Sequence, residues 1–245
     1  MLTRSELQKQ GPVGFNLGQR EKDYLQSWIL YFISHNGIKA VFKGGTCLQK
    51  AFNLPRYSED LDFTVLGDIN LTGLKELLES AGFNKVQLKE KQGKISEQYK
   101  IRTAGPLYAN VPASEVSVIV EFSKRELLIK KPIPILITPP YTDLLAYQIT
   151  CMDLEEIAAE KVRAIYTRNV SRDLYDLYFL THRQNAFPNI ALVNKKLELC
   201  KKEFRKNTFK EEVKKLEENW KKEIKILSAQ PLEFKMVAKY VENML

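Results

Sequence analysis

The segment Ala40-Val41-Phe42 runs without a break into Lys43-Gly44-Gly45-Thr46, and no other junction constrains the fold as much. The apolar burst predicts a strand, and residues 46–52 predict a short helix that Pro55 stops. Two glycines between strand and helix allow a tight turn with outward backbone N–H groups, beside the positive end of the helix. Such a turn cradles anions, phosphates above all. Thr46 would add a hydroxyl donor and a helix cap. The glycine pair taken alone fits an ordinary capped turn at least as well. The P-loop spacing G-x-x-x-x-G-K-[ST] is not present.

Downstream, Glu59-Asp60-Leu61-Asp62-Phe63-Thr64-Val65 alternates charge and bulk, as a strand with one buried face does. Asp60 and Asp62 then share a face while Leu61 and Phe63 turn into the core. Two carboxylates so close repel each other, and a hard cation such as Mg2+ relieves the repulsion. A solvated strand edge is the competing explanation, weakened by the buried opposite face. Arg56 and Ser58 precede the pair and are suited either to a phosphate or to stabilising the loop. Glu121 closes Val116-Ser117-Val118-Ile119-Val120, the clearest strand of the chain. It is the candidate third acid, and the spacing equally allows a first solvated residue.

Composition narrows the chemistry. There are two histidines, His35 and His182, and three scattered cysteines, Cys47, Cys151 and Cys200. A histidine zinc centre or a serine triad is hard to build from these, so a site must rest on carboxylates, lysines and arginines. Scattered cysteines suit a reducing cytoplasm, and no apolar run approaches the roughly 18 residues a membrane span needs. A cytoplasmic protein without a membrane partner is expected. The 38 Lys and Arg against 30 Asp and Glu give a net charge of +8, which admits a polyanionic partner without demanding one.

The organisation reads as a mixed α/β half and a helical half. Residues 1–19 predict an irregular lead-in, 20–35 and 71–81 helices, and 85–90, 96–103 and 116–122 strands. Pro132, Pro134, Pro139 and Pro140 mark a boundary, placing a domain over 1–130 and a second over 131–245. Helical spacing covers 141–150, 153–167, 172–183, 190–206, 209–227 and 232–244. In the second half, Lys161 neighbours the buried stripe Ala158, Ala159, Val162 and Ile165, and Arg172-Asp173 with Asp176 opens the next helix. Lys161 paired with Asp173 would be a fixed cation facing a triphosphate. A helix–helix salt-bridge network explains the same residues, and segment by segment explains them better.

The run from Val41 to Phe63, joining Gly44-Gly45-Thr46 to Arg56-Tyr57-Ser58-Glu59-Asp60-Leu61-Asp62, resembles the signature of the AbiEii/AbiGii toxin family of nucleotidyltransferase-like proteins. The run Glu156–Leu180 resembles that family's second signature, and the likeness spans roughly residues 20–182. The resemblance implies an α+β fold: a polymerase-beta-type nucleotidyltransferase core with a mixed sheet, followed by an all-helical domain that completes the active site. It implies that Gly44, Gly45 and Thr46 hold the NTP phosphates and that Lys161 matches the lysine of the helical part; Lys43, Arg56 and Ser58 are further candidates for the NTP. It implies Asp60, Asp62 and Glu121 as ligands of Mg2+, or of Mn2+ in its place, with Lys161 and Asp173 completing the catalytic set. Many members carry Asp where Glu121 stands, and Asp176 reads as structural. Some members are toxins of toxin–antitoxin or phage-defence systems paired with a DNA-binding antitoxin, and some add nucleotides to the acceptor end of tRNA. The expected reaction is NMP transfer from an NTP to a hydroxyl, with RNA as acceptor. Two other expectations stand beside it: a protein or small-molecule hydroxyl as acceptor, and an inactive binding scaffold on the same fold. Between Lys195 and Lys225, 12 Lys or Arg face 7 acids, a mixture that suits RNA or a solvated helix pair.

Overall fold

The computed structural model describes residues 1–125, 128–228 and 231–245. The chain divides into two compact units. The first comprises Met1–Asn53, Tyr57–Leu128 and Pro132–Cys151; the second comprises Leu54–Arg56, Ile129–Lys131 and Met152–Leu245.

Among the described residues the first unit contains helices α1 (Arg4–Lys9), α2 (Leu17–His35), α3 (Gly44–Phe52) and α4 (Leu74–Ser80). Its strands are β1 (Ala40–Lys43), β2 (Leu61–Val65), β3 (Asn84–Gln92), β4 (Ser96–Ala104), β5 (Val116–Ser123), β6 (Ile133–Ile137) and β7 (Tyr147–Cys151). They form one sheet in the order β3-β4-β5-β2-β1-β7-β6. β2 runs parallel to β5 and β1 parallel to β7, while the other neighbours are antiparallel. The sheet is therefore mixed, as expected.

One buried row sets the register at the centre of this sheet. Phe42, Phe63 and Phe122 are direct partners on β1, β2 and β5 and are fully buried. Their rings stack at 5.1 and 5.2 Å. Each such pair contributes about 0.5–1.5 kcal/mol beyond its buried area. A one-residue slip would expose the whole set, so the row fixes which residues occupy the opposite face. α2 starts at a reciprocal cap, Asn16 accepting from the Gln19 N–H at 2.9 Å and donating to the Gln19 side chain at 3.0 Å. It packs on β5 and β7, and Leu25, Ile29 and Phe32 are among its buried residues.

The second unit is helical: α5 (Leu154–Thr167), α6 (Ser171–Arg183), α7 (Ile190–Glu198), α8 (Lys206–Lys215), α9 (Glu217–Leu227) and α10 (Phe234–Met244). α5 is its hub, packing against α6, α7 and α8. Asp153 caps it, accepting from the N–H groups of Glu155 and Glu156 at 2.9 and 3.3 Å.

Several elements differ from the sequence reading. Residues 133–151 belong to the sheet, so the first unit reaches Cys151 and the boundary placed near residue 130 moves. Pro134 is tolerated because β6 is an edge strand, where a missing N–H costs no ladder bond. Residues 141–150 are not helical: a turn precedes β7, where Tyr147, Ile149 and Cys151 are buried and Gln148 and Thr150 exposed. The lead-in contains α1, capped by Thr3 and Glu6. The helix expected over 190–206 ends at Glu198, and 209–227 is split at Leu216.

Candidate active site

Opposite the phenylalanine row lies a polar one. Lys43 is the register partner of Asp62, Asp62 of Glu121, Glu121 of Gln98, and Gln98 of Lys91. Register partners project to the same side of a sheet. Residues distant in sequence thus share one rung across β1, β2, β5, β4 and β3. Asp62 and Glu121, half-buried, sit at its centre. The Gln98 amide donates to Glu121 Oε2 at 2.8 Å and holds that carboxylate in place.

The glycine turn abuts this rung. Gly44 has φ +76°, a left-handed conformation, and a Cβ there would stand 2.6 Å from Asp62 Oδ2. Glycine is required twice over, by the backbone and by the carboxylate. The helix begins at Gly44, one turn earlier than Thr46 would set it as a cap, and Lys43 at the N-cap position makes no side-chain capping bond. Thr46 is buried, and its hydroxyl donates to the Asp60 carbonyl. Thr46 therefore positions Asp60 from within the protein. Gly45 and Lys43 are also buried.

Residues that the sequence reading passed over fix the approach to Asp60. Gln26 Nε2 donates to the carbonyls of Ser58 and Glu59 at 3.0 and 2.8 Å, and the Ser58 N–H donates to Gln49 Oε1 at 3.0 Å. Ser58 is thus tied into the loop through its backbone. Buried Asp23 pairs with Lys50 at 2.7 Å and accepts from Gln49 and Tyr141 at 2.6 and 2.7 Å. Burial holds Lys50 below the ordinary lysine range, and the Asp23 charge opposes that shift. A buried polar pattern on α2 and α3 was the available signal, a face too mixed for a purely apolar stripe.

In the helical unit, Lys161, Asp173 and Asp176 form the core of an ionic network. Lys161 Nζ lies 3.0 Å from Asp173 and 2.7 Å from Asp176. Arg56, only 1% exposed, grips Asp176 with two bonds of 2.6 Å. Arg168 grips Asp173 with bonds of 2.7 and 2.8 Å. Each carboxylate is held by a forked guanidinium and bridged by one ammonium. Burial alone would raise both aspartates. Lys161 and Arg168 nevertheless hold Asp173 well below the usual carboxylate range, and Arg56 and Lys161 depress Asp176. Burial pulls Lys161 down, and Asp176 and Asp173 together more than reverse it. Arg56 thus joins this network through Asp176. Arg168 was missed: it ends α5, five residues before its partner.

The acids suit a hard cation. Mg2+ is commonly bound through one or two carboxylates plus substrate phosphates, and Asp62 and Glu121 supply a pair in register beside a bare glycine Cα. Among the described residues no group of three or more His, Cys, Asp or Glu is gathered closely enough to hold a metal ion. Asp62 and Glu121 are thus a two-carboxylate donor set, which is of the kind that Mg2+ accepts. Among the described residues no helix is long and apolar enough to cross a membrane.

A family profile described as nucleotidyl transferase AbiEii toxin, type IV toxin–antitoxin system, matches residues 28–240. The nucleotidyltransferase toxin MenT4 of Mycobacterium tuberculosis superposes with a TM-score of 0.71 at 21% identity, over 100% of this chain and 88% of that one. JHP933 of Helicobacter pylori superposes with a TM-score of 0.62 at 24% identity, over 91% of this chain and 88% of the other. No curated protein sequence matches the chain.

Proposed function

Because the chain belongs to the AbiEii nucleotidyl transferase toxin family, we propose that it transfers a nucleoside monophosphate from an NTP to a hydroxyl of RNA, at the acceptor end of tRNA, as the toxin of a toxin–antitoxin pair. The observation that carries this reading is the shared rung of Asp62 and Glu121 against the glycine turn. Asp60, Asp62 and Glu121 are the acids assigned to Mg2+, with Asp62 and Glu121 the best supported by geometry. The cation would supply charge neutralisation on the triphosphate and a more acidic acceptor hydroxyl.

The chain's own residues do the remaining work. Backbone N–H groups of the Gly44-Gly45 turn face the phosphates, and Lys43 adds positive charge at the end of β1. The acceptor oxygen forms a bond to the α-phosphorus as the bond to the bridging oxygen breaks, and pyrophosphate leaves. Glu121 takes the acceptor proton; Gln98 occupies Oε2, so Oε1 is the oxygen assigned to it. Lys161 has three N–H donors and spends two on Asp173 and Asp176, and the reading gives its third to triphosphate charge. Asp173 is buried and acts through Lys161, as a positioning residue. Catalysis is then mostly placement and charge neutralisation.

Purified protein incubated with Mg2+, each α-labelled NTP in turn and total RNA tests the reading. A labelled tRNA band with one nucleotide is expected. Label on protein and none on RNA would replace RNA with a protein hydroxyl. No NTP binding by calorimetry would leave only a scaffold.

A further inference from the structure

The two faces of the β3–β4 hairpin carry opposite charges. On the face shared with Asp62 and Glu121, β4 presents Gln98, Lys100 and Arg102, opposed on β3 by Lys91, Lys89 and Gln87. β5 continues that face with Glu121, Ile119 and Ser117. The other face of the hairpin carries Glu90 and Glu97 among Leu88, Tyr99 and Ile101. An ordinary solvated hairpin mixes the signs on each face, and this one separates them.

The separation is costly as it stands. Lys89 and Lys100 are direct cross-strand partners, and like charges so placed destabilise a sheet. Lys89, Lys91 and Lys100 are all exposed, and among the described residues none of them makes a salt bridge. The nearby acids have other partners than these lysines: Glu115 pairs with Arg102, on the same face, at 2.6 Å, and Glu97 pairs with Lys124. Ile119, 38% exposed, lies beside Lys100 and adds an apolar patch. Lys91 stands on the same rung as Asp62, three strands away, roughly 14 Å at the usual strand spacing.

We infer that the open face of β3, β4 and β5 is the track on which the phosphate backbone of the acceptor RNA lies, leading its end to the acids. The inference rests on the proposal that the acceptor is RNA. A phosphate between Lys89 and Lys100 turns their repulsion into shared attraction. Lysine contacts to backbone position a strand without reading its sequence, and Ile119 offers a surface for a sugar or base. The basic helices α8 and α9 fit this partner less well. Their lysines alternate with acids, as in the Lys215–Glu212 pair at 2.8 Å.

The test uses the full chain and a fluorescein-labelled oligouridylate of about 12 nucleotides, within the range of single-strand site sizes. Lys89→Thr, Lys91→Thr and Lys100→Thr are combined in one variant. A control variant combines Lys210→Thr, Lys214→Thr and Lys221→Thr, removing equal charge. Each single-strand phosphate contact contributes about 0.7 to the salt slope, so the sheet variant should lose a slope of about 2 and roughly 100-fold in affinity near 0.1 M salt. Its melting temperature should hold or rise, since the Lys89–Lys100 repulsion is gone, and its calorimetric affinity for Mg2+ and NTP should stay as in the unsubstituted protein. Equal losses in both variants, or no RNA binding by the unsubstituted protein at low salt, overturn the inference. So does a sheet variant that loses affinity for polyglutamate while keeping RNA. If RNA binds through this face and is never labelled, the track stands and the RNA-transferase reading falls.

Discussion

Both units of the molecule place acids and cations close together, and they do so in opposite ways. In the sheet unit, Asp62 and Glu121 stand half-buried on an open face, and the partner of Glu121 is the neutral amide of Gln98. In the helical unit, Asp173 and Asp176 are sealed from solvent and surrounded by Arg56, Lys161 and Arg168. Acids of the first kind stand where a cation can reach them. Acids of the second kind are enclosed by the protein's own cations. Sequence proximity to a motif does not separate the two kinds, whereas burial does.

The largest expected effect tests the sheet acids. Asp62→Ala removes a carboxylate worth several kcal/mol of transition-state charge stabilisation, a loss on the order of 10^3-fold in transfer. The melting temperature should hold, because the phenylalanine row beneath it is untouched. Transfer within tenfold of the unsubstituted protein would show that this rung is not the reacting centre.

The helical acids should answer differently. Asp176→Ala leaves buried Arg56 and Lys161 short of a partner, which costs about 3–5 kcal/mol and lowers Tm by roughly 10 °C. A variant that melts normally and is inactive would make Asp176 a chemical group and erase the contrast. The acid limb sharpens it. Asp176 titrates in the fold below its ordinary 3.8, so its contribution is fully present above about pH 3.8 and is lost as pH falls toward the depressed folded value. Denaturant midpoints of the unsubstituted protein and Asp176→Asn should therefore converge as pH drops below that value.

Much of the sheet unit was legible because its signals are local. The Gly44-Gly45 turn, the alternation around Asp60 and Asp62, and the β-branched run ending at Glu121 each fit within one element. The pairing of Asp62 with Glu121 was reachable as a candidate only, since register depends on Phe42, Phe63 and Phe122 meeting across three strands. Arg56 and Asp176 are 120 residues apart, and nothing local marks them as partners. β6 was hidden by Pro134, a breaker everywhere except at an edge, and β7 by a spacing that mimics a helix until Tyr147-Gln148-Ile149-Thr150-Cys151 is read with period two.

Gly44→Ala probes the close fit of turn to rung. A left-handed alanine costs roughly 1–2 kcal/mol, and its methyl would occupy space taken by the Asp62 carboxylate. Displacing that group by about 1 Å should lower transfer roughly 100-fold, more than the stability change accounts for. An alanine variant of full activity would mean that Asp62 can move without consequence.

The smallest effect is expected at Gln98, and it discriminates most finely. Gln98→Ala removes one hydrogen bond to a carboxylate, worth about 1–2 kcal/mol, so transfer should fall roughly 5- to 30-fold with the KM for NTP unchanged. Gln98→Asn shortens the same donor and should fall between the two. Transfer by Gln98→Ala within twofold of the unsubstituted protein would mean that the amide does not hold Glu121 in its working position, and the sheet unit would then differ from the helical one in burial alone.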